Sequence, residues 1–399
     1  MSDNFTCISD AIEGESTLEF LGEEMGKIAP EGSEVLFLYD EREKCQTVRD
    51  VVGRFCKIDS VKISDCTLVK CQKIIPSEQC RAVVGAGGRE CVNVAKYVCT
   101  KYSLPLIFVA LEQSCHDYLT GASTLFFNGY PEIYSVKPPV KVIADATLLE
   151  GGDENARGYG ATCARLVTLF DEDVKRAMGE SVDDQTYAYL LAEICDLIEC
   201  EKNGLTARRV MQSALRVSYA LEKMRAYTDG CRQSAQVLSL IKNKANEKSK
   251  TQAENESILA PFVMACYLLS ICVDNGTGVY VPDNNAQIDI MYRLLGISPL
   301  TAIKVVNRHE SLNGILQKIH CLKVYKSELI RRGEIYRKVL EFAQNRVKRL
   351  YKDRGFSYNK YLDGRTVKRC FALAPEMRGK QTLFSLMKQT GIAKAFLSK

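Results

Sequence analysis

The chain has 399 residues, which is enough to bury a large core, and this length predicts two domains or one large and one small domain. Its composition, 46% hydrophobic and 26% charged, is ordinary for a soluble globular protein, and a net charge of +5 is too small to indicate a nucleic-acid partner by itself. No apolar run is read as long enough to span a bilayer, and the acidic, polar start is not typical of a secretory signal, so we expect a cytoplasmic protein without a membrane partner.

The first 150 residues alternate between strand-like and helix-like segments. Short apolar runs predict buried parallel strands at EVLFLYD (34–40), RAVVGAG (81–87), PLIFVAL (105–111) and VKVIADATLL (140–149). Helical patterns occur at TVRDVVGRFCKI (47–58) and ECVNVAKYVCTKY (90–102). Because this alternation is typical of βαβ units, we predict an N-terminal α/β domain with a mostly parallel sheet over residues 1–151.

Helical patterns dominate after the segment EGGDENARGYG (150–160). The clearest are QTYAYLLAEICDLIEC (185–200), ARRVMQSALRVSYALEKMRAY (207–227) and ILAPFVMACYLLSICV (258–273). We therefore predict a C-terminal all-helical domain over residues 152–399. The polar segment at 243–257 is predicted to be an exposed loop within it.

Basic residues concentrate late in the chain, at 326–354. Apolar residues recur there at helical spacing, which predicts an amphipathic helix with a solvated basic face. The apolar positions are Leu329, Ile335, Val339, Phe342, Val347 and Leu350. A surface for nucleic acid or an acidic partner is the less favoured interpretation of the same charges.

The 17 cysteines are scattered, and no Cys-x-x-Cys pair occurs. A zinc site of closely spaced cysteines supported by histidines is not indicated, because there are only three histidines in the chain. We expect reduced thiols in the core of an intracellular protein.

A strand, a glycine-rich turn and a helix follow one another at residues 83–98. The backbone N–H groups at the N-terminus of such a helix bind a phosphate or pyrophosphate, and glycine lets the backbone approach closely. Gly85, Gly87 and Gly88 fit this role, although the full Gly-x-Gly-x-x-Gly spacing is absent because residue 90 is Glu. A tight strand-to-helix turn without a ligand is the alternative.

The order of motifs from about residue 34 to residue 173 resembles the superfamily of iron-containing alcohol dehydrogenases and dehydroquinate synthase. Within it, the branch of glycerol-1-phosphate dehydrogenase and glycerol dehydrogenase is the most similar. The resemblance is carried by the glycine turn and three further segments, YSLPLIFVALEQSCHDYLTGAS (102–123), VKPPVKVIADATLL (136–149) and ARGYGATCARLVTLFD (156–171). It implies a Rossmann-like parallel-sheet domain followed by a helical domain, with NAD or NADP bound between them.

The resemblance also implies which residues contact the cofactor. In this chain they are Gly85, Gly87, Gly88, Arg89, Asn93, Ser114 and Thr120. Asn93 stands where the family has Asp, and the family's Pro-Thr reads Ala110-Leu111, which removes a hydroxyl. Arg89 replaces another glycine, and it either reaches a phosphate, such as the 2′-phosphate of NADP, or obstructs the path of the dinucleotide.

The metal site that the resemblance implies is altered most. The family binds a divalent metal with one Asp and two His, and this metal polarises the substrate alcohol. Gly158-Tyr159-Gly160-Ala161 stands where the family has Gly-Phe-Gly-Asp, so Ala161 offers no donor atom. His309 and His320 cannot be placed at the expected positions, and we expect no metal.

Three residues are candidates for a catalytic role without a metal: His116, Lys96 and Arg165. His116 falls at the family's substrate-contacting Asp, with Asp117 next to it, and an ordinary loop histidine is the alternative. Lys96 matches a lysine of the family, and Arg165 keeps a cation where a lysine is common.

Two functions follow from these observations. The first is a glycerol-1-phosphate or glycerol dehydrogenase-like protein with a degraded metal site that binds a nucleotide and a polyol or phosphorylated substrate. The second is a non-catalytic relative that acts as a sensor, subunit or binding partner, which the altered motifs favour because core patterns persist when ligands are lost. A lyase or synthase that uses the phosphate site is a weaker third reading, and a homo-oligomer is left open.

Overall fold

Six parallel strands form the central sheet of the N-terminal part of the protein, in the order β1-β8-β5-β4-β2-β3. The computed structural model describes residues 11–200, 204–247, 250–272, 283–306, 312–350, 362–377 and 382–389. The sheet strands are β1 Ala11–Gly14, β2 Glu34–Tyr39, β3 Lys57–Lys62, β4 Cys80–Gly87, β5 Leu106–Ala110 and β8 Lys141–Asp145. Two further strands, β6 Ala122–Phe127 and β7 Tyr130–Ser135, pair with each other.

Helices fill the connections and most of the rest of the chain. Those of the first half are α1 Leu21–Gly26, α2 Lys44–Val52, α3 Leu68–Lys73, α4 Arg89–Tyr102, α5 Asp153–Cys163, α6 Leu166–Ala177 and α7 Asp184–Cys200. Those of the second half are α8 Ala207–Met224, α9 Gly230–Lys244, α10 Gln252–Cys272, α11 Asn284–Ile290, α12 Pro299–Val306, α13 Leu312–Val324, α14 Lys326–Leu350, α15 Gly364–Leu373 and α16 Leu383–Gln389. The predicted fold class, a parallel-sheet domain followed by a helical region, is confirmed.

Alternation along the strands gives the sheet an apolar surface on both sides. On one face, residues such as Leu36, Val83 and Phe108 belong to the cluster that packs against α4. On the other face, residues such as Phe37 and Val84 belong to the cluster that includes α2. The strands of a parallel sheet that is covered on both faces have short, continuous apolar sequences. The central strands were predictable for this reason.

Several predicted boundaries are wrong in detail. The helix predicted over 47–58 ends at Val52, and Lys57 and Ile58 begin strand β3 instead. The predicted loop at 243–257 is shorter, because α9 continues to Lys244 and α10 begins at Gln252. Within that loop, residues 248 and 249 lie outside the described part of the chain, as do residues 1–10 and 351–354 of the predicted segments.

The described cysteines carry free thiols, and most of them are buried, as expected of core residues. One helix, α10, is long and apolar enough to cross a membrane by length and composition, which the sequence analysis did not predict. Most of its apolar window is buried within the protein, as in the core helix of a soluble protein.

The chain forms two compact units, and each is discontinuous in sequence. The first comprises Met1–Phe127, Glu132–Gly158 and Cys195–Arg225, and it contains the six-stranded sheet and α8. The second comprises Asn128–Pro131, Tyr159–Ile194 and Ala226–Lys399 and is mainly helical. A functional division between residues 151 and 152 stays a prediction; the compact units differ from it by placing Cys195–Arg225 with the sheet.

Candidate functional site

The glycine turn lies where β4 ends and α4 begins, as predicted. Gly87 has φ of +147°, a conformation that favours glycine, and a Cβ atom built there would lie 2.5 Å from Oδ2 of Asp40. A Cβ atom at Gly88 would lie 1.9 Å from Oε2 of Glu112. Gly85 is different, because it sits within the strand and makes room for the ring of Phe108. The turn therefore needs its glycines, and the atoms that approach them are carboxylate oxygens.

Two carboxylates of the protein accept the hydrogen bonds that the turn offers. The Gly88 N–H donates to Oδ2 of Asp40 over 2.9 Å, and the Arg89 N–H donates to Oε2 of Glu112 over 3.0 Å. These N–H groups precede the first turn of α4, where the partial positive charge of a helix favours an anion. In this protein the anions are its own side chains.

Arg42 joins the two carboxylates. Its Nη1 donates to Oδ2 of Asp40, and its Nη2 donates to Oε2 of Glu112 over 3.1 Å. Burial opposes the charged guanidinium, but the attraction of Glu112 and Asp40 outweighs it and raises the pKa of Arg42 above its ordinary value. We call Asp40, Arg42 and Glu112 the carboxylate cap.

The loop after β5 holds Glu112 in place. Ser114 Oγ donates to Oε1 of Glu112 over 2.9 Å, so this predicted cofactor-binding hydroxyl contacts the carboxylate cap. The Tyr118 hydroxyl accepts from the Glu112 N–H over 3.0 Å and lies 3.2 Å from the Gly87 carbonyl oxygen. Glu112 is therefore fixed through both its backbone and its side chain.

Lys96 and Thr120, two further predicted site residues, organise the rest of the same loop. The fully buried Lys96 ammonium donates to the carbonyl oxygens of Asp117 over 2.7 Å and Thr120 over 3.2 Å. It also donates to the Thr120 hydroxyl, which in turn donates to the Asp117 carbonyl oxygen. These contacts stabilise the loop's backbone, and a buried ammonium requires such partners.

Asn93 and Arg89 likewise bond within the first unit. The Asn93 amide donates to the Arg89 carbonyl oxygen over 2.9 Å and accepts from the Thr124 N–H over 3.0 Å. Arg89 Nε lies 3.8 Å from Oδ2 of Asp117. Burial disfavours its charge, yet the attraction of Asp117 and other acids raises the pKa of Arg89 above its ordinary value.

His116, a catalytic candidate, is fully buried in the same loop. The loop thus carries His116, Ser114 and Thr120 together, close in sequence to Glu112, while Lys96 supports it from α4. Arg165, the third catalytic candidate, belongs to the second unit.

Arg165 is fully buried and is held by two carboxylates of the second unit. Its Nη1 donates to Oδ2 of Asp229 over 2.7 Å, and its Nη2 donates to Oε2 of Glu256. Its Nε donates over 3.3 Å to the carbonyl oxygen of Ala161, one helical turn earlier. We call Arg165, Asp229 and Glu256 the Arg165 cluster. The guanidinium thus donates one hydrogen bond to each of two carboxylates, and these charge-assisted bonds form without a metal ion.

Asp171 adds a third buried acid beside this cluster. It accepts from the Gly230 N–H over 3.0 Å and from the Leu383 N–H over 3.2 Å. Burial is the largest influence and, with the nearby charge of Asp229, raises the pKa of Asp171 to about 7 against the lowering effect of those N–H groups.

The segment that resembles the family's metal-binding motif has a packing role in this chain. A Cβ at Gly158 would lie 2.8 Å from the carbonyl oxygen of Gln113, and one at Gly160 would lie 2.3 Å from Oγ of Ser257, so both glycines permit close approach. Within the described residues there is no group of three His, Cys, Asp or Glu side chains that could hold a metal ion. His320 is exposed on α13, and His309 lies outside the described residues.

Comparison with known proteins agrees with this architecture. No family model matches the chain. A glycerol-1-phosphate dehydrogenase [NAD(P)+] of Sulfurisphaera tokodaii is 25% identical over 167 residues, which is 41% of this chain and 45% of that protein. The chain therefore spans less than half the length of the curated relative that it matches.

Solved structures match more of the chain. Glycerol dehydrogenase of Schizosaccharomyces pombe superposes with a TM-score of 0.52 at 13% identity, covering 87% of this chain and 92% of that one. An iron-containing alcohol dehydrogenase of Corynebacterium glutamicum gives a TM-score of 0.53 at 15% identity, with 97% and 94% covered. The chain has the fold of the iron-containing alcohol dehydrogenases. The resemblance to this fold and to glycerol-1-phosphate dehydrogenase, stated from the sequence, is confirmed.

Arg165 was a candidate from sequence, whereas its partner carboxylates and the residues of the carboxylate cap were missed. Asp40 was open to prediction, because it directly follows β2, and β2 pairs in parallel with β4, so the ends of both strands share one edge of the sheet. Glu112 likewise follows β5 at the same edge. Arg42, Asp229 and Glu256 carry no comparable signal, since nothing in their local sequence indicates a partner.

The glycine turn as it stands does not fit the pyrophosphate of a dinucleotide. A pyrophosphate would need the N–H groups that already donate to Asp40 and Glu112, and it would meet two carboxylates there. We therefore derive no reaction step through NAD or NADP.

Proposed function

We propose that this protein is a relative of glycerol-1-phosphate and glycerol dehydrogenases that does not perform metal-assisted hydride transfer and acts as a non-catalytic binding partner or subunit. The observation that carries the proposal is the Arg165 cluster, next to the segment where the resemblance implies the first metal ligand. Ala161 supplies no side-chain donor there, and the buried carboxylates of Asp229 and Glu256 already pair with Arg165, and Glu256 also with Arg232.

The chemistry supports this proposal. An alcohol releases hydride readily only when its oxygen carries alkoxide character, which a Lewis acid provides. A metal ligand must offer a lone pair, and an Arg guanidinium has none to offer. These buried carboxylates therefore pair with guanidinium groups, which cannot take over the role of a metal ligand.

A second candidate is an NAD(P)-dependent oxidoreductase acting on glycerol, glycerol phosphate or a related polyol. The observation that favours it is the match to relatives named glycerol-1-phosphate dehydrogenase [NAD(P)+], together with the intact strand, glycine turn and helix. On this reading His116, Lys96 or Arg165 would take the electrophilic role. A cytoplasmic location and a homo-oligomeric assembly belong to both candidates as proposals.

A turnover assay separates the two. Purified protein is assayed with glycerol, glycerol 1-phosphate and dihydroxyacetone phosphate, each with both oxidation states of NAD and NADP, without added metal and with Zn²⁺ or Fe²⁺. The glycerol-1-phosphate dehydrogenase of Sulfurisphaera tokodaii, assayed in parallel, shows that the conditions support turnover. We expect no rate above the protein-free blank. Cofactor-dependent turnover by the wild-type protein above that blank would establish the second candidate instead.

A further inference from the structure

The carboxylate cap has the arrangement of a bound anion at the glycine turn. We propose that Glu112 excludes phosphoanhydride ligands, such as nucleoside diphosphates, from the N-terminus of α4 by occupying the position that a phosphate oxygen would take. The inference concerns nucleotide binding in the first unit and does not depend on the proposed loss of hydride transfer.

The distances leave no room for a phosphate beside Glu112. Its Oε2 accepts from the Arg89 N–H at 3.0 Å and from Arg42 at 3.1 Å, and it lies 1.9 Å from the place of a Cβ at Gly88. At other helix N-termini, the absence of a Cβ atom at a glycine lets a phosphate approach the backbone. Here the carboxylate uses that space.

The partners of Glu112 keep it from moving aside. Oε1 accepts from the Ser114 hydroxyl, Oε2 accepts from Arg42 and from the Arg89 N–H, and the backbone N–H donates to Tyr118. Tyr118 is itself fully buried. Swinging the Glu112 side chain away from the turn would take these acceptor oxygens from the Ser114 hydroxyl and the Arg89 N–H, which is costly in a partly buried site.

The surrounding charge also disfavours a second anion. Burial and then the charge of Glu112 raise the pKa of Glu90 and of Glu154 above the ordinary value of a glutamate. Repulsion by Glu112 is the second cause of both shifts, after burial. A diphosphate would add further negative charge to the same place, and like charges in such a site oppose binding.

Isothermal titration with ADP and with inorganic pyrophosphate tests the inference on the full chain. The arms are wild type, Glu112→Ala, Glu112→Gln and the double variant Asp40→Asn/Glu112→Ala. The control is Glu90→Gln, which removes one negative charge from the same turn of the helix and leaves the carboxylate cap in place. Thermal unfolding of each variant shows that it is folded.

We expect no measurable ADP binding by wild type or by Glu90→Gln. Glu112→Ala should bind ADP at least roughly tenfold more tightly than the detection limit that bounds wild type, and the double variant more tightly still, because each step frees a backbone N–H for a phosphate oxygen. Glu112→Gln keeps the side-chain volume and should show a smaller gain. If Glu112→Ala does not fold, the ADP affinity of Glu112→Gln tests the inference in its place.

Two results would overturn the inference. One is ADP binding by wild type as tight as by Glu112→Ala. The other is folded Glu112 variants, the double variant included, that bind no better than wild type. ADP binding by wild type without turnover would overturn this inference alone and leave the proposed function standing.

Discussion

Arg165 is the residue on which the second unit's charge balance depends. It lies fully buried between Asp229 and Glu256, and Thr168 donates to the same Asp229 carboxylate over 2.6 Å. Buried charges are tolerated only when they are paired and hydrogen-bonded, so each member of this cluster depends on the others.

Replacing Arg165 with methionine should therefore be strongly destabilising. The side-chain volume is roughly retained, but Asp229 loses its cation and Glu256 keeps only Arg232, whose Nε lies 3.5 Å away. Breaking a buried pair costs about 3–5 kcal/mol. Urea denaturation followed by circular dichroism measures the change in the free energy of unfolding. Arg337→Met is the matched control, because Arg337 pairs with Glu334 and Glu341 on an accessible face of α14 and should cost less than about 1 kcal/mol. Equal costs for both variants would show that the Arg165 cluster has no special energetic role.

Asp171 should make stability depend on pH. Its pKa rises from 3.8 to about 7 on folding, so between these values the folded protein binds a proton that the unfolded chain has released. The stability associated with this proton is complete below the unfolded pKa and is lost as pH rises through about 7. The free energy of unfolding of wild type minus that of Asp171→Asn, measured in urea from pH 4 to pH 8, should fall as pH rises. A difference that is flat or that rises with pH would contradict the raised pKa.

At the scale of elements, the sequence allowed some segments to be predicted and concealed others for physical reasons. Strands β4 and β5 were found because they are buried on both faces and read as continuous apolar runs. Strand β3, with the sequence KIDSVK, lies at the edge of the sheet. Its first two residues, Lys57 and Ile58, were taken as the end of a helix, and the rest of the strand was not predicted. The glycine turn was predictable from local sequence. The carboxylates that bind it, Asp40 and Glu112, follow two other strands, so predicting them required knowledge of the strand pairing in the sheet.

Helix α14 shows the same limit in its orientation. The helix was predicted, but its buried stripe was placed partly wrongly: Ile335 and Phe342 are 50% and 53% exposed, whereas Tyr336 and Leu340 are buried. The cause lies at Gly333, where a Cβ would be 2.7 Å from Leu268 Cδ2 and 2.9 Å from the ring of Phe170. The spacing of apolar residues alone did not reveal that α14 approaches its neighbours most closely at Gly333, which has no side chain.

This orientation predicts an unusual ranking of two substitutions. Alanine favours a helix over glycine by about 1 kcal/mol, so Gly333→Ala would stabilise an exposed helix. At this contact the added methyl overpacks the core, and we expect a net loss of roughly 1–2 kcal/mol. Ile335→Ala, the control at a half-exposed position, should cost less than about 1 kcal/mol. Urea midpoints of the two variants decide the order, and a stabilised Gly333→Ala would mean that α14 does not approach its neighbours so closely.

At the scale of the whole molecule, each unit carries its own substitute for a ligand. In the first unit, the carboxylate cap accepts the hydrogen bonds of a phosphate-type turn. In the second, a guanidinium pairs with the buried carboxylates near the altered metal motif. Both groups of contacts are internal to the chain, and under the proposed function they would hold these buried charges without a bound ligand.

Removing metal should for this reason leave the stability of the protein unchanged. A metal held by folded ligands adds its binding free energy to folding, so a chelator lowers the unfolding midpoint of a protein that depends on one. Because Arg165 already compensates Asp229 and Glu256, we expect the same urea midpoint before and after dialysis against EDTA, and no stoichiometric zinc or iron by elemental analysis. The iron-containing alcohol dehydrogenase of Corynebacterium glutamicum, carried through the same dialysis and elemental analysis, serves as a control for the procedure. A stoichiometric metal, together with a midpoint that falls on chelation and recovers on adding the metal back, would show that the chain assembles a different ligand set.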